Sequence, residues 1–311
     1  MRRKDANIRS KAMDRGQQDS QTRISEHDGE IMTIAKKEVV TASQTITIKE
    51  AAEIMVNNKF RRLPITDAGS GKLVGIVTAM DILDFLGGGQ KSKLLEEKYE
   101  GNFLAAINKP VKEIMTRGVV SVSNKDSISA AVDIMLEKHI GALPVVNADE
   151  QIVGIVSERD ISFLLSGVIT DEVVDDVMTD SVITTTIGTP LESASKIMVR
   201  NHLRRLPVIG KTDEHPDKDL LVGIVTATDI LEYFGNNGMF GKLTSNDASD
   251  VLNTKISEII ETNVISTTPN VKLGDLCKSM EEQRIGGLPV VQDDEVVGII
   301  TESDLLSVMK K

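Results

Sequence analysis

The chain has 311 residues, of which 40% are hydrophobic but only 3% aromatic, so Ile, Val, Leu, Ala and Met must build its core. At about 150 residues per domain, this length predicts two domains. The net charge of −11 argues against a protein that wraps nucleic acid, because that class needs a basic face. One cysteine excludes an internal disulfide framework and indicates a reducing compartment, so we expect a cytoplasmic protein.

Four scattered histidines and the single cysteine leave little for a metal site, and we expect none. The apolar runs are too short to cross a bilayer, and no apolar segment of a signal peptide follows the basic start. We therefore expect neither a membrane span nor a leader.

Residues 1–30 carry several basic side chains among Gln, Ser and Asp and show no apolar period. We predict that this segment is a disordered tail. Its basic residues are where we would look for a contact with nucleic acid or an acidic partner. The alternative is a solvated extension with no partner.

After the tail, one unit of roughly 60 residues occurs four times. Each copy has a methionine nine residues before a Leu-Pro pair and ends in an aliphatic run, Val-Gly-Ile-Val or Val-Gly-Ile-Ile. The four methionines are Met55, Met135, Met198 and Met280. We place repeat one at 31–90, a linker and repeat two at 91–168, repeat three at 169–236, and a linker and repeat four at 237–311. Repeats one and three share Arg-Arg before Leu-Pro, which indicates a duplicated two-repeat module.

Each unit is predicted to fold as β-α-β-β-α. In the first copy, Val39-Val40 is typical of a short buried strand, and residues 48–55 follow the helical period. The strand that begins at Leu63-Pro64 places its proline at a strand start. Residues 73–77 predict a second, buried strand, and the helix after it should stop at the glycines 87–89.

The end of each aliphatic strand carries Ser or Thr followed three residues later by Asp. These four tetrads are Thr78…Asp81, Ser157…Asp160, Thr226…Asp229 and Thr301…Asp304. One interpretation is a capping box that satisfies the free amides of a helix start. The other is a ligand site, because amides at a helix start bind anions and a carboxylate binds ribose hydroxyls. Together these groups describe a nucleotide.

The hydrophobic strand that ends in Ser/Thr-x-x-Asp resembles the cystathionine-β-synthase (CBS) domain, over about residues 31–310. Two such domains form a Bateman module. Four in one chain resemble the gamma subunit of AMP-activated protein kinase and its free-standing archaeal relatives. Residues 87–89 and 102–107 strengthen the archaeal comparison. The resemblance implies an α/β (α+β) fold, with two Bateman modules packed into a disk-like assembly.

The resemblance also implies that each tetrad binds ribose and phosphate, while aliphatic and small residues of the other repeat in its module enclose adenine. Thr78 and Asp81 would work with Val119, Val120, Ile140, Gly141 and Ala142, and Ser157 and Asp160 with Val39, Val40, Phe60, Arg61 and Arg62. Thr226 and Asp229 would work with Val264, Ile265, Ile285, Gly286 and Gly287, and Thr301 and Asp304 with Val182, Ile183, Leu203, Arg204 and Arg205.

Four paired arginines and Arg159 are the candidate phosphate ligands, since a guanidinium fork matches phosphate oxygens. The pairs are Arg61, Arg62, Arg204 and Arg205. Surface ion pairs in an acidic protein are the alternative interpretation. We expect the small residues before two of the Leu-Pro pairs, such as Gly141 and Gly287, to leave room for a ligand. Not every site need be occupied.

The sequence is compatible with three classes of function. The first is a regulatory sensor that binds AMP, ADP or ATP and acts on an unidentified protein partner, with no required cofactor. The second is a ligand-free scaffold or a sensor of another adenosyl ligand such as S-adenosylmethionine. The third, an enzyme, lacks a chain segment for a catalytic core, and no nucleophile, base and orienting residue recur together. A homodimer is a further assembly to consider.

Overall fold

The computed structural model describes residues 28–166, 171–236 and 247–309. The first 27 residues of the predicted tail lie outside this part of the chain. Residues 28–30 do not belong to a tail, because Gly29 N donates to Asn124 O at 2.7 Å and Glu30 begins the 3-10 turn Glu30–Thr33.

Each repeat consists of a long helix, two antiparallel strands and a second helix, as predicted. The first contains β1 (Ala42–Ser43), α1 (Ile48–Asn57), β2 (Arg62–Thr66), β3 (Leu73–Thr78) and α2 (Ala79–Leu83). A short helix, α3 (Phe103–Ile107), connects it to β4 (Val122–Ser123), α4 (Ile128–Lys138), β5 (Ala142–Val146), β6 (Ile152–Ser157) and α5 (Glu158–Ser162).

The second half has the same order. The third repeat contains β7 (Thr185–Thr186), α6 (Leu191–Arg200), β8 (Arg205–Gly210), β9 (Leu220–Thr226) and α7 (Ala227–Gly235). The short helix α8 (Ser249–Leu252) precedes α9 (Leu273–Gln283), β10 (Gly287–Gln292), β11 (Glu295–Thr301) and α10 (Glu302–Val308).

The sheets are small and mixed. In the first three repeats a two-residue strand pairs in parallel with the middle strand, which is antiparallel to the last. In the fourth, a single parallel bridge between Thr267 and Val290 takes the place of the short strand. The prediction of a buried strand at Val39-Val40 is wrong: the strand begins at Ala42, and Val40 is 42% exposed.

The long helices form where the apolar period predicted them. Thr47 and Glu50 form a reciprocal capping box at the start of α1, which satisfies two otherwise free amides. The four repeated methionines are all buried, at 0–2% exposure, so they fill the core as expected. The glycines after α2 allow close packing, since a Cβ on Gly88 would lie 2.5 Å from Val199 of α6.

The two repeats of a module exchange their leading segments. The segment before repeat two bridges β3 through Thr116 and Ile76, and the segment before repeat one bridges β6 through Lys36 and Ile155. The same exchange joins repeats three and four. We therefore call the first and second repeats, and likewise the third and fourth, module partners.

Contacts between the modules complete the fold. Helix α2 packs on α7, and α5 packs on α10. One hydrophobic core is continuous between repeats one and three, while repeats two and four each have a smaller core. Within the residues that the structure describes, no helix is both long and apolar enough to span a bilayer.

Candidate functional site

The four tetrads are all capping boxes. Each Asp accepts, through Oδ2, the backbone amide of its own Ser or Thr, at 2.6 to 2.9 Å. The hydroxyl of the same residue donates to Oδ2 as well, at 2.5 to 2.9 Å. The cap therefore uses only Oδ2 and leaves Oδ1 for other contacts. A tetrad can thus serve as a helix cap and as part of a ligand site at the same time.

The Oδ1 atoms differ among the four repeats. Oδ1 of Asp81 contacts Lys91 Nζ and accepts from Thr116, Oδ1 of Asp160 faces Lys36 Nζ at 3.1 Å, and Oδ1 of Asp304 accepts from Thr179 at 3.5 Å. Oδ1 of Asp229 has no hydrogen-bond or ion-pair partner among the described residues. This carboxylate faces a cavity.

That cavity has a volume of about 1000 Å³ and is lined by residues of all four repeats. It brings Thr226 and Asp229 together with the aliphatic and glycine residues expected to accompany them: Val264, Ile265, Ile285, Gly286 and Gly287. It also contains Ser157 and Arg159 with Phe60, Arg61 and Arg62, which belong to the second expected site. Asp160, Val39 and Val40 are not part of its wall.

A smaller cavity of about 390 Å³ lies around the first tetrad. It joins Thr78 and Asp81 with all five expected residues of repeat two: Val119, Val120, Ile140, Gly141 and Ala142. Arg61, Arg62 and Gly141 also line the large cavity, so the two cavities share these residues.

The fourth expected site is not brought together in either of these cavities. Thr301 and Asp304 line neither of them, and the same is true of Val182, Ile183 and Leu203. Its arginines are divided, because Arg204 lines the small cavity and Arg205 the large one.

Several expected adenine-pocket residues are exposed aliphatic side chains. Val40, Ile183 and Ile265, at equivalent positions in repeats one, three and four, are 42%, 39% and 40% exposed. Burying such apolar area against a ligand is favourable by about 25 cal/mol per Å². These positions are therefore suited to contact a flat apolar group such as a base.

The paired arginines form a cluster at the junction of the modules. Arg204 donates to the buried Glu158 at 2.8 Å, and Arg159 donates to the buried Glu302 at 2.7 Å. Arg205 donates to the carbonyl of Gly286 at 2.6 Å. The sequence interpretation of a surface ion pair holds only in part, since these contacts are partly buried and cross between repeats.

The cluster carries more positive than negative charge. Desolvation and the neighbouring Arg204 and Arg61 lower the pKa of Arg62 to about 9. Desolvation lowers the pKa of Arg205 to about 10, although Glu302 opposes the change. Both remain protonated at neutral pH, and an anion placed among them would relieve their mutual repulsion.

The pKa of Asp229 is raised, in contrast to those of the arginines. Desolvation raises the pKa of its carboxyl group, against hydrogen bonds from Thr226 that lower it, and the nearby Glu232 and Glu261 raise it further. Desolvation likewise raises the pKa of Asp304. A half-buried acid with an incompletely partnered carboxylate gains from a donor supplied by a ligand.

The glycines before two of the Leu-Pro pairs have a different neighbour from the one we expected. A Cβ on Gly141 would lie 2.5 Å from a guanidinium nitrogen of Arg204, and one on Gly287 would collide with Arg205. The structure thus fills the space beside these glycines with arginine side chains.

Sequence reasoning missed five residues near the outer carboxylate oxygens: Lys36, Thr116, Thr179, Glu261 and Lys91. All except Glu261 contact such an oxygen, and Glu261 lines the large cavity with Asp229. The first four all precede a Leu-Pro proline by 28 positions, so extending the count of offsets would have found them. Their chemical types differ, which conceals the pattern. Glu158 and Glu302 were also missed, although they occur only in the repeats without paired arginines.

Other single residues have structural roles. Cys277 is buried in the fourth core, and desolvation raises the pKa of its thiol to about 11, which opposes a nucleophilic role. His139 is the C-cap of α4 and His202 follows the C-cap of α6, and both have left-handed backbone, at φ 53° and 56°. Both also line the small cavity.

The model of the CBS domain family matches residues 29–88, 111–167, 174–236 and 256–311. Protein MJ1225 of Methanocaldococcus jannaschii is 41% identical over 279 residues, which cover 89% of this chain and 97% of that protein. Its crystal structure, described as that of a candidate archaeal homologue of γ-AMPK, covers 90% of this chain and 99% of that chain with a TM-score of 0.84.

Two further relatives show how far the similarity extends. A 33.4 kDa protein encoded in a ribosomal RNA operon of Thermofilum pendens is 31% identical, over 81% of this chain and 82% of that protein. The CBS domain pair of protein MJ0100, solved with 5′-methylthioadenosine and S-adenosyl-L-methionine, is 34% identical over 44% of this chain and 95% of that chain, with a TM-score of 0.35.

Proposed function

The chain belongs to the CBS domain family, with four copies of the domain, and from this premise we propose that it is a cytoplasmic, non-enzymatic sensor of adenine nucleotides. Its ligands are AMP, ADP or ATP, and it regulates a protein partner. The ligand binds in the large cavity between repeats three and four.

One observation carries this proposal. Within one cavity lie a capping Asp, whose Oδ1 has no partner in the part of the chain that the structure describes, and an exposed aliphatic residue of the module partner: Asp229 and Ile265. An unpartnered carboxylate oxygen requires donors, and the two hydroxyls of a ribose supply them. An exposed apolar side chain favours a base. A nucleoside satisfies both requirements with one molecule.

The charges of the cavity support a phosphorylated ligand. Seven cationic side chains and four carboxylates line it, and the cations include Arg61, Arg62 and Arg205. Guanidinium groups form paired hydrogen bonds with phosphate oxygens. Desolvation, and to a smaller extent repulsion by neighbouring arginines, lowers the pKa values of Arg62 and Arg205, and such an anion would offset the repulsion.

The position of the cavity supports a regulatory role. A ligand there contacts residues of both modules, so it favours whichever packing of the modules it binds more tightly. A protein partner that distinguishes these packings would respond to the nucleotide.

Thermal unfolding with AMP, ADP, ATP and S-adenosylmethionine tests the proposal. A ligand at a hundred times its dissociation constant stabilises the folded state by about 2.7 kcal/mol. We expect the three nucleotides to raise the unfolding temperature and Asp229→Ala to reduce the increase. No increase with any nucleotide would contradict the proposal.

Two alternatives have some support. A ligand-free scaffold is favoured by the four capping boxes, which are complete without a ligand. A cationic adenosyl ligand such as S-adenosylmethionine is favoured by Glu232 and Glu261 near Asp229. Stabilisation by S-adenosylmethionine alone would establish the second alternative, and stabilisation by no compound would support the first.

A further inference from the structure

One position in each repeat determines what faces the carboxylate of its module partner. The position lies three residues before the aliphatic pair and is occupied by Lys36, Thr116, Thr179 and Glu261. Each of these residues forms the same antiparallel bridge with an isoleucine two residues before a tetrad: Ile155, Ile76, Ile299 and Ile224 respectively. The four positions are therefore structurally equivalent.

At three of these positions the side chain contacts Oδ1 of the adjacent Asp. Lys36 forms an ion pair with Asp160 at 3.1 Å, and Thr116 donates to Asp81 at 3.3 Å. Thr179 donates to Asp304 at 3.5 Å. In each case a residue of the chain itself occupies the oxygen that a ribose would use.

The fourth position carries an acceptor, Glu261, where the other three carry donors. Glu261 has no proton to donate, and its own Oε1 accepts the amide of Asn263 at 2.7 Å. Glu261 and Asp229 both line the large cavity, and Oδ1 of Asp229 has no partner among the described residues. The carboxylate of Asp229 is thus the one of the four that the equivalent position leaves open.

We propose that this position selects which of the four sites binds a nucleoside: Glu261 keeps Asp229 open to the hydroxyls of a ribose, and Lys36 competes with a ribose for Asp160. The proposal rests on the proposed function and adds the choice of site. The selected ligand has free 2′ and 3′ hydroxyls, with its phosphates directed to the arginines of the same cavity.

The effect of Lys36 on the affinity for a nucleoside at Asp160 should be small. The side chain of Lys36 is 65% exposed, and exposed ion pairs contribute little because water screens them. Removing the competition should therefore strengthen binding at Asp160 by about two- to five-fold. A lysine at position 261 should weaken binding at Asp229 by at least as much, because that carboxylate lies in a cavity.

The test is calorimetric titration with AMP. Glu261→Lys should weaken the tightest binding of AMP, while Glu261→Gln, which cannot form an ion pair, should retain most of it. In an Asp229→Ala background, Lys36→Ala, which leaves no donor at this position, should increase the remaining affinity. Lys37→Ala removes the same charge from the next residue, which lines neither cavity, and should have no effect.

The outcomes separate the two proposals. If the unaltered chain binds no AMP, both proposals fail. If it binds AMP but Glu261→Lys does not weaken binding in a variant that unfolds at the normal temperature, the choice of site is wrong and nucleotide binding stands. If Lys36→Ala weakens binding, Lys36 is a ligand of the phosphate and does not compete with ribose.

Discussion

At the scale of single residues, the tetrad aspartate performs two tasks with two oxygens. Oδ2 of Asp229 stabilises the start of α7, and Oδ1 has no partner within residues 28–166, 171–236 and 247–309. A capping interaction of this kind contributes about 1 kcal/mol. Because the cap needs only one oxygen, the protein can keep the helix start fixed whether or not a ligand is bound.

Acidification should weaken binding at Asp229. Its pKa is raised mainly by desolvation, so the carboxyl becomes protonated at a higher pH than an ordinary aspartate, whose pKa is 3.8. The charged form is the better acceptor for ribose hydroxyls. Titration with adenosine, which has no phosphate to titrate, should therefore show affinity falling as the pH drops from neutral toward that range.

The matched variant for this prediction is Asp229→Asn, which should bind adenosine weakly and with little dependence on pH. Without ligand, acidification has the opposite effect: protonation of Asp229 increases the stability of the folded state. Since the folded-state pKa is raised, the charge of Asp229 opposes folding at higher pH. An affinity of the unaltered chain that stays constant on acidification would refute the role of its charge.

Arg205 should distinguish AMP from adenosine. A hydrogen bond to a charged group contributes about 1.5–3 kcal/mol, so Arg205→Ala should weaken AMP binding by about ten- to a hundred-fold and adenosine binding much less. Arg117→Ala removes an exposed arginine that lines neither cavity and is the control. Equal losses for both ligands would show that Arg205 supports the fold and does not bind phosphate.

At the scale of the elements, the exchanged leading segments explain the glycine of each aliphatic strand. A Cβ on Gly75 would lie 2.6 Å from Sδ of Met115, and one on Gly223 would lie 2.9 Å from Ile260. Gly298 has the same close contact with Met178. The glycine allows a segment of the module partner to cross the strand and place its side chain beside the tetrad.

Gly75→Ala should therefore destabilise the protein by about 1–3 kcal/mol, since overpacking forces neighbours to shift. Urea unfolding measures the change. Gly188→Ala, with no atom within 4 Å of the added Cβ, is the control. Adding Met115→Ala should recover part of the loss, because it removes the colliding atoms. Equal stability of Gly75→Ala and the unaltered chain would contradict this account of the segment crossing.

The elements also show what the sequence can and cannot predict. Fixed offsets from the Leu-Pro pairs correctly predicted the long helices and the two antiparallel strands, because burial imposes the same apolar residues on every copy. The prediction of a strand at Val39-Val40 was wrong, because a run of aliphatic residues is compatible both with a core strand and with an exposed segment outside the sheet. Val40 lies outside the sheet and is exposed, although its pattern matches that of a core strand.

At the scale of the whole molecule, the cavities lie where the modules meet. For Asp81 and Asp229, the resemblance to the CBS domain implied which residues accompany each tetrad, and these residues line the same cavities as the tetrads. The partners of the outer carboxylate oxygens were not predicted. Lys36 and Glu261 share a fixed offset from Leu-Pro but differ in chemical type, and only the three-dimensional crossing shows which carboxylate each of them faces.

The most direct test of the account is a crystal structure of the protein with AMP. We predict adenine against Ile265 and Ile285, the ribose hydroxyls on Oδ1 of Asp229, and the phosphate beside Arg205. Absence of AMP from this cavity, at a concentration that raises the unfolding temperature, would contradict the account. So would an AMP molecule bound with its ribose away from Asp229.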